Sequence, residues 1–226
     1  TVFQYNLSTA WDISTSSYSG LSAASSTYSP RALTFTSDGR KMYTGGSQYD
    51  KINQRTLSTP WNLSTATWNS DFLVTSQDGS LEGLFIKPDG SKMYMLGGYT
   101  DTIYQYTLST AGDLSTISYD SISFSVSAQN TSAEDISFTS DGLGMFMVGE
   151  GSDKRIYKYT LSTAWDISTA SYDNVLFDPT AQATRPWGVD FKSDGSKMYV
   201  LGLSTDTVYQ YTTGQTYSGT TRISVG

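Results

Sequence analysis

The chain contains the stretch Leu7-Ser8-Thr9-Ala10-Trp11-Asp12-Ile13-Ser14-Thr15, which returns in similar form at residues 57–65, 108–116 and 161–169. The spacings between its copies are 50, 51 and 53 residues. An Asp-Gly pair keeps nearly the same period, with its aspartates at Asp38, Asp89, Asp141 and Asp194. A period of about 52 residues is longer than that of ankyrin or tetratricopeptide repeats and suits a propeller blade of four strands.

The local pattern within each repeat predicts four antiparallel strands, which we call A to D. Apolar residues alternate in strand A, for example at 187–192, and the Asp-Gly pair that follows favours a tight type I′ turn with positive φ at both residues. Strands B, C and D are exemplified by residues 197–202, 207–212 and 121–126. We therefore predict an all-β fold, a β-propeller of four-stranded antiparallel blades, with four blades or alternatively five.

The repeats divide the chain into about 29–78, 79–130, 131–183 and 184–226, which we interpret as a single β-propeller domain over 1–226. Strands C and D occur five times, the last time as strand C at 207–213 and a short D-like tail near 216–225, whereas the A–B hairpin occurs four times. We expect residues 1–28 to complete the last blade. The redundant ends allow a single-chain ring, or self-association through the terminal strands.

The apolar residues of strand A are predicted to form the packed centre. We align the four A strands on Phe35, Phe85, Phe138 and Phe191. This alignment makes Glu82 equivalent to Asp135. It also predicts that alanine at Phe85 or Phe138 costs about 3 to 5 kcal/mol of stability.

The composition excludes several kinds of chemistry. The chain has no Cys and no His, so it holds no thiolate metal site, no cysteine nucleophile and no Ser-His-Asp triad. From this we predict that it is not an enzyme and that it uses no cofactor. Its net charge of -7 disfavours nucleic acid as a partner. Since no apolar run approaches the length of about 18 residues, membrane insertion is not expected.

Aspartates recur in the predicted B–C loops, at Asp50, Asp101, Asp153 and Asp206. One carboxylate per loop is sparse for Ca²⁺, which takes six to eight oxygen ligands. We therefore interpret these residues, and the Asp of each Asp-Gly pair, as part of turns, and predict no metal site.

The repeat from strand A to strand C resembles YVTN-type propeller repeats, for example in Phe191-Lys192-Ser193-Asp194-Gly195-Ser196-Lys197-Met198-Tyr199. Such repeats occur in surface-layer and lactonase-like proteins. The resemblance covers nearly the whole chain and implies a fold, not a reaction. The Leu-Ser-Thr-Ala-Trp-Asp element is similar to repeats of bacterial and phage surface proteins, which implies an extracellular, cell-surface or virion-associated location. Some lactonase-like relatives use His, which is absent here, so no catalytic residue is carried over.

Two sets of residues are candidates for binding. Trp11, Trp61 and Trp165 recur in the C–D loops, either as platforms for sugar rings or, as we favour, as wedges against the adjacent blade. The opposite face carries the more variable B–C and D–A loops, where repeat proteins differentiate. The candidate ligand-binding residues there are Tyr28, Arg31, Tyr49, Glu82, Tyr99, Asp135, Arg185 and Trp187.

The leading hypothesis is a non-enzymatic attachment or structural module, with glycans or a surface protein as its partner. One alternative is a lactonase-like or glycan-cleaving enzyme that uses carboxyl groups such as Glu82 and Asp135 as acid and base. We expect Arg31 and Arg185 to neutralise these carboxylates in salt bridges. Another alternative is a purely architectural or engineered repeat scaffold without a ligand.

Overall fold

A computed structural model describes residues 1–25, 28–48, 50–151 and 153–214. Its fold class is all-β, with four antiparallel blades of the β-propeller type, which confirms the four-bladed prediction. Helix occurs in the described residues only as single 3-10 turns. None of these helices is long and apolar enough to cross a membrane. The predicted tail strand near 216–225 lies outside the described residues.

The strands form meanders in which each strand pairs with its neighbours in sequence. The first sheet has two strands, β1 (Val2–Leu7) and β2 (Ser16–Ala23). Blade 1 consists of β3 (Tyr28–Phe35), β4 (Lys41–Gln48), β5 (Lys51–Leu57) and β6 (Ala66–Leu73). Blade 2 consists of β7 (Leu81–Ile86), β8 (Lys92–Gly97), β9 (Thr102–Leu108) and β10 (Ile117–Ser125).

Blade 3 consists of β11 (Ala133–Phe138), β12 (Gly144–Gly149), β13 (Ile156–Leu161) and β14 (Ala170–Phe177). Blade 4 has three strands in the described residues, β15 (Pro186–Phe191), β16 (Lys197–Gly202) and β17 (Thr207–Thr212). The role of residues 1–28 in completing the last blade stays a prediction.

The chain divides into two compact units, residues 1–123 and 124–226, and the division falls within β10. The first unit has a core of aliphatic, methionine and tyrosine side chains from blades 1 and 2, among them Tyr43, Ile52, Leu81, Met95 and Tyr106. The second unit has its own core, which includes Phe146, Val148, Val189, Met198 and Val200. These residues lie on strands, and the second strands β8 and β12 are buried on both faces along nearly their whole length.

The turn between strands A and B differs from the predicted type I′ turn. Gly39 has φ of 67°, whereas Asp38 is not in the left-handed region. The Gly39 N–H donates to the Thr36 carbonyl at 2.9 Å, and the Asp38 carboxylate accepts from the Arg40 N–H at 3.0 Å. The hydroxyl of Thr36 also donates to this carboxylate, which, together with the Arg40 amide, lowers the pKa of Asp38. The aspartate is therefore selected for its hydrogen bonds and only the glycine for its φ.

The recurring tryptophans lie on these turns. The Trp61 N–H donates to the Gly39 carbonyl at 3.0 Å, and the Trp165 N–H makes the same bond to Gly142. A Cβ atom on Gly39 would lie 2.3 Å from the Trp61 ring, so no other residue fits beneath the indole. This contact supports a structural role, but the turn belongs to the same blade and not, as the sequence led us to expect, to the adjacent one.

The nine-residue stretch closes the C–D connection with a capped 3-10 turn. The Asp12 carboxylate accepts from the Ser14 N–H at 3.0 Å. Asn62, Asp113 and Asp166 cap the other three copies in the same way. The pattern recurs because a short acceptor side chain is needed at the N-cap of each turn.

The pairing of strands A and B corrects the alignment on phenylalanine. Phe138 pairs with Met145, and its equivalent in blade 2 is Ile86, which pairs with Met93. Phe85 is one position earlier and pairs with Tyr94. Since a shift of one residue moves a side chain to the other face of a strand, Ile86 is buried and Phe85 only half-buried.

Phe138→Ala and Phe85→Ala should therefore differ in cost, although both remove the same side chain. We expect Phe138→Ala to lower the free energy of unfolding by about 3 to 5 kcal/mol, because it leaves a cavity in the core. Phe85→Ala should cost less than half as much. Urea denaturation of both variants checks this, and equal losses would contradict the pairing of Ile86, rather than Phe85, with Met93.

Candidate functional site

A β-bulge at the start of each inner strand holds three of the predicted site residues. In all four blades the pairing of strands A and B skips one residue. The skipped residues are Arg31, Glu82, Glu134 and Trp187. Bulges redirect side chains and are common beside active sites. Each blade thus presents one bulky or charged side chain at the same point of its inner strand.

In the unit formed by residues 1–123, Arg31 and Glu82 form an ion pair. The Arg31 Nη1 atom lies 3.2 Å from the Glu82 Oε2 atom, and the Ser80 hydroxyl donates to Oε1 at 2.8 Å. Burial raises the pKa of Glu82, and the Ser80 hydrogen bond and the Arg31 charge oppose this effect. The expected salt bridge to Arg31 is confirmed.

Tyr99 is an exposed aromatic residue in the same unit. Its N–H donates to the Asp78 carboxylate at 3.2 Å, and the Thr100 N–H donates to that carboxylate at 3.1 Å. The Asp78 carboxylate therefore holds the backbone of the loop that carries Tyr99, while the Tyr99 ring is exposed to solvent. Of the other two predicted tyrosines, Tyr28 begins β3 and Tyr49 lies outside the described residues.

In the unit formed by residues 124–226, Arg185 contacts both Glu150 and Trp187. The Arg185 Nη2 atom lies 2.9 Å from the Glu150 Oε2 atom, and Nε pairs with Oε1, so the ion pair is bidentate. The guanidinium carbon lies 5.9 Å from the centre of the Trp187 ring. Arg185 thus has its charge neutralised and covers part of the ring.

Asp135 and Asp190 form a carboxyl pair on neighbouring inner strands of this unit. The Asp135 Oδ1 atom accepts from the Ile136 N–H at 2.9 Å, and Oδ2 reaches across to the Val189 N–H of β15 at 3.2 Å. The Asp190 Oδ1 atom accepts from the Phe191 N–H at 2.8 Å and from the Ser137 hydroxyl at 3.3 Å. These bonds fix the orientation of both groups.

The surroundings favour the neutral form of Asp135. Burial raises the pKa of Asp135 to about 8, with a smaller contribution from the charges of Asp190 and Glu134, while the two backbone N–H groups oppose the shift. Burial also raises the pKa of Asp190. Solvent nevertheless reaches both groups, since Asp135 is half-buried and Asp190 exposed. At neutral pH, Asp135 therefore keeps a proton that solvent can reach.

Sequence reasoning paired the wrong carboxylates and missed Asp190. In the observed register the equivalent of Glu82 is Glu134, and the equivalent of Asp135 is Gly83. The number of residues between strand A and the Asp-Gly turn would have given the correct alignment. Phe35, Ile86, Phe138 and Phe191 each precede the turn aspartate by three residues. Alignment on that spacing places Asp190 opposite Ser137, on the neighbouring strand.

No group of three or more acidic side chains in the described ranges is placed to hold a metal ion. The B–C loop aspartates Asp50, Asp101 and Asp206 adopt positive φ values of 45° to 48°, a conformation that Asp tolerates better than most residues. Backbone geometry therefore accounts for their recurrence.

The chain is similar in fold to several solved structures. It aligns with a putative 6-phosphogluconolactonase from Bacteroides fragilis at 13% identity and a TM-score of 0.56, over 81% of this chain and 50% of that one. A second such protein, from Bacteroides uniformis, aligns at 12% identity and a TM-score of 0.57, over 92% and 59%. A functionally unknown protein from Desulfotomaculum acetoxidans aligns at 19% identity and a TM-score of 0.57, over 88% and 56%.

This chain thus spans between half and three fifths of the length of those proteins. No family model and no curated protein matches it. The likeness to lactonase-like propellers expected from the repeat sequence is confirmed for the fold. The YVTN type and a surface or phage origin stay predictions.

The prediction that the chain is not an enzyme is contradicted by these likenesses, because two of the propellers that share its fold are named for a lactonase activity. The prediction rested on the absence of His and Cys. That absence removes imidazole and thiolate chemistry, but carboxyl groups also serve as general acids and bases.

The raised pKa of Asp135 makes stability depend on pH. Between about pH 4 and about pH 8 the unfolded chain has this carboxyl ionised and the folded chain has it protonated, so the free energy of unfolding should fall as pH rises. The slope from this group is at most about 1.4 kcal/mol per pH unit. Asp135→Asn should flatten it, whereas Asp206→Asn in an exposed loop should leave it unchanged. Thermal melts from pH 5 to 8 measure this, and an unchanged slope in Asp135→Asn argues against a protonated Asp135.

Proposed function

We propose that the chain is a lactonase-like hydrolase in which Asp135 and Asp190 supply the acid and the base. The observation that carries this proposal is the placement of the two groups: Asp135 Oδ2 accepts from the Val189 N–H of β15, and the exposed Asp190 follows on the same strand and accepts from Ser137 of β11. Burial raises the pKa of Asp135 to about 8. A neutral carboxyl group and an ionised one on neighbouring strands can present one acid and one base at neutral pH. The fold shared with named lactonases supports the choice of reaction.

Lactone hydrolysis requires a general base that activates a water molecule and a general acid that protonates the leaving ring oxygen. Asp190, the more exposed of the two groups, acts in its ionised form and takes a proton from a water molecule as the water oxygen attacks the carbonyl carbon of the cyclic ester. The neutral Asp135 donates a hydrogen bond to the carbonyl oxygen and then gives its proton to the ring oxygen as the acyl carbon–oxygen bond breaks. One water is consumed, one hydroxy acid is formed, and proton exchange between the two carboxyl groups restores the pair.

The charges around the pair favour an uncharged lactone. Glu134 interacts electrostatically with both Asp135 and Arg185, and Arg185 is already neutralised by Glu150. A phosphate group would meet net negative charge there, in a chain with a net charge of -7. Hydroxyl groups of a neutral sugar lactone could instead hydrogen bond to Ser137 and to the carboxyl oxygens.

Lactone hydrolysis can be followed by proton release, with the spontaneous rate subtracted. With D-glucono-1,5-lactone as the probe, we expect Asp135→Asn and Asp190→Asn each to lower kcat/KM by about 100- to 10,000-fold, the range for loss of a general acid or base. Asp206→Asn is the matched control and should retain full activity. The 6-phosphorylated lactone should be the poorer substrate.

The pH profile distinguishes an acid role from a structural one. Activity should decline above about pH 8, where Asp135 loses its proton. If neither lactone is hydrolysed above the spontaneous rate, or if both Asn variants keep full activity, the proposed function is wrong.

A further inference from the structure

A cavity of about 380 Å³ lies between the A–B turns of blades 1 and 2, within the unit of residues 1–123. Its walls come from both turns, among them Asp38, Arg40 and Asp89, and from Ala111 and Gly112 of the C–D loop of blade 2. The volume is within the range of about 300 to 1,000 Å³ for small-molecule sites. None of these residues takes part in the proposed hydrolysis, so what binds here is independent of it.

In two other blades an indole ring covers the glycine of the A–B turn. A Cβ atom on Gly39 of blade 1 would lie 2.3 Å from the Trp61 ring. A Cβ atom on Gly142 of blade 3 would lie 2.2 Å from the Trp165 ring. The surface of this turn is therefore shaped to take a flat aromatic ring, because a glycine presents no Cβ atom to the face of the ring.

Blade 2 keeps the backbone of this arrangement and lacks the ring. Gly112 stands at the position of the tryptophan, with φ of 70°, and its N–H donates to the Gly90 carbonyl at 2.9 Å. A Cβ atom on Gly90 would first meet the Gly112 nitrogen, at 2.9 Å, and then atoms of Ala111. In the part of the chain that the structure describes, no ring covers Gly90, and the cavity lies at this place.

Hydrogen bonds hold the walls of the cavity in place. The Tyr43 hydroxyl donates to the Gly112 carbonyl at 2.6 Å, and the Ser37 hydroxyl joins the two turns by donating to the Pro88 carbonyl at 2.7 Å. A Cβ atom on Gly112 would lie 3.3 Å from the Thr36 methyl group. An attached side chain is therefore crowded here, whereas a free ring needs no Cβ atom at that point.

The charged residues of the cavity differ in how far they are already engaged. The carboxylates of Asp38 and Asp89 accept hydrogen bonds within their own turns, and the Lys41 Nζ atom donates to the Thr56 hydroxyl at 2.8 Å. Arg40 is exposed, and its guanidinium donates no hydrogen bond within the described ranges. Arg40 is thus placed to bind a carboxylate of a ligand, since a guanidinium pairs with carboxylates through two parallel hydrogen bonds.

We propose that this cavity binds a planar aromatic carboxylate of the size of indole-3-acetate. The ring lies over Gly90, in the place that Trp61 and Trp165 occupy over their own turns, and the carboxylate pairs with Arg40. Removal of the apolar ring from water drives binding, and the ion pair orients the ligand.

Isothermal titration calorimetry with indole-3-acetate and with indole tests the place of the ring. The unmodified chain should bind each probe saturably, with a dissociation constant on the order of 1 mM. Gly112→Trp combined with Thr36→Ser should bind both probes at least tenfold more weakly, because the attached indole fills the cavity. Tryptophan suits the backbone at this point, since Trp61 has φ of 59°, and serine removes the crowding methyl group.

Thr36→Ser alone is the matched control and should bind both probes as the parent does. Unmodified chain that binds neither probe saturably overturns the proposal. The same holds for a folded double variant that binds indole as tightly as the parent, because the ring then binds elsewhere.

Arg40→Gln tests the carboxylate, and it changes an exposed side chain, so it tests the site even if Gly112→Trp does not fold. We expect it to weaken binding of indole-3-acetate by about threefold or more and to leave binding of indole unchanged. Lys51→Gln removes a charge at the other end of blade 1 and should change neither. Equal affinities of parent and Arg40→Gln for indole-3-acetate, or an equal loss for both probes, contradict the pairing with Arg40.

Discussion

The left-handed glycine of each Asp-Gly turn is the constraint on which the rest of a blade depends. It lets strand A return as strand B, and its carbonyl then accepts the N–H of Trp61 or Trp165 from the C–D loop of the same blade. One residue without a side chain thus joins the two hairpins of a blade. Because the indole lies directly over that glycine, any Cβ atom there would push the hairpins apart.

Each inner strand also has two positions, at the bulge and directly after it, where the residue type differs from blade to blade. The bulge puts Arg31, Glu82, Glu134 and Trp187 at one structural position, with four different partners or surroundings. The next position on the strand is a glycine, alanine or Asp135, and only in the last case does it place a carboxyl group against the neighbouring strand. The proposed chemistry therefore depends on single residues that depart from the repeat, while the repeat itself maintains the fold.

The fold was predictable from the sequence because period, turn residues and alternation all agree, and each is a local property. The site was predictable only in part. The salt bridge from Arg31 to Glu82 could be predicted from charge alone, whereas Arg185 pairs with Glu150 and not, as expected, with Asp135. The alignment on Phe85 was wrong by one residue, since two apolar residues stand side by side at 85 and 86. The pKa of Asp135 depends first on its burial and then on its contacts with Val189, Asp190 and Glu134, none of which a single strand encodes.

Gly112, which stands where the other copies of the stretch have tryptophan, bears on how the chain reaches its fold. Nearly identical strands compete for the same partners while a repeat protein folds, and misaligned pairings become kinetic traps. At Gly112 a Cβ atom would already lie 3.3 Å from the Thr36 methyl group, and the Tyr43 hydroxyl donates to the Gly112 carbonyl at 2.6 Å. The loop of residues 108–116 is thus matched to blade 1 and would be misplaced elsewhere. A residue such as Gly112 that departs from the repeat restricts its loop to one partner blade, and so favours correct pairing among strands that are otherwise nearly identical.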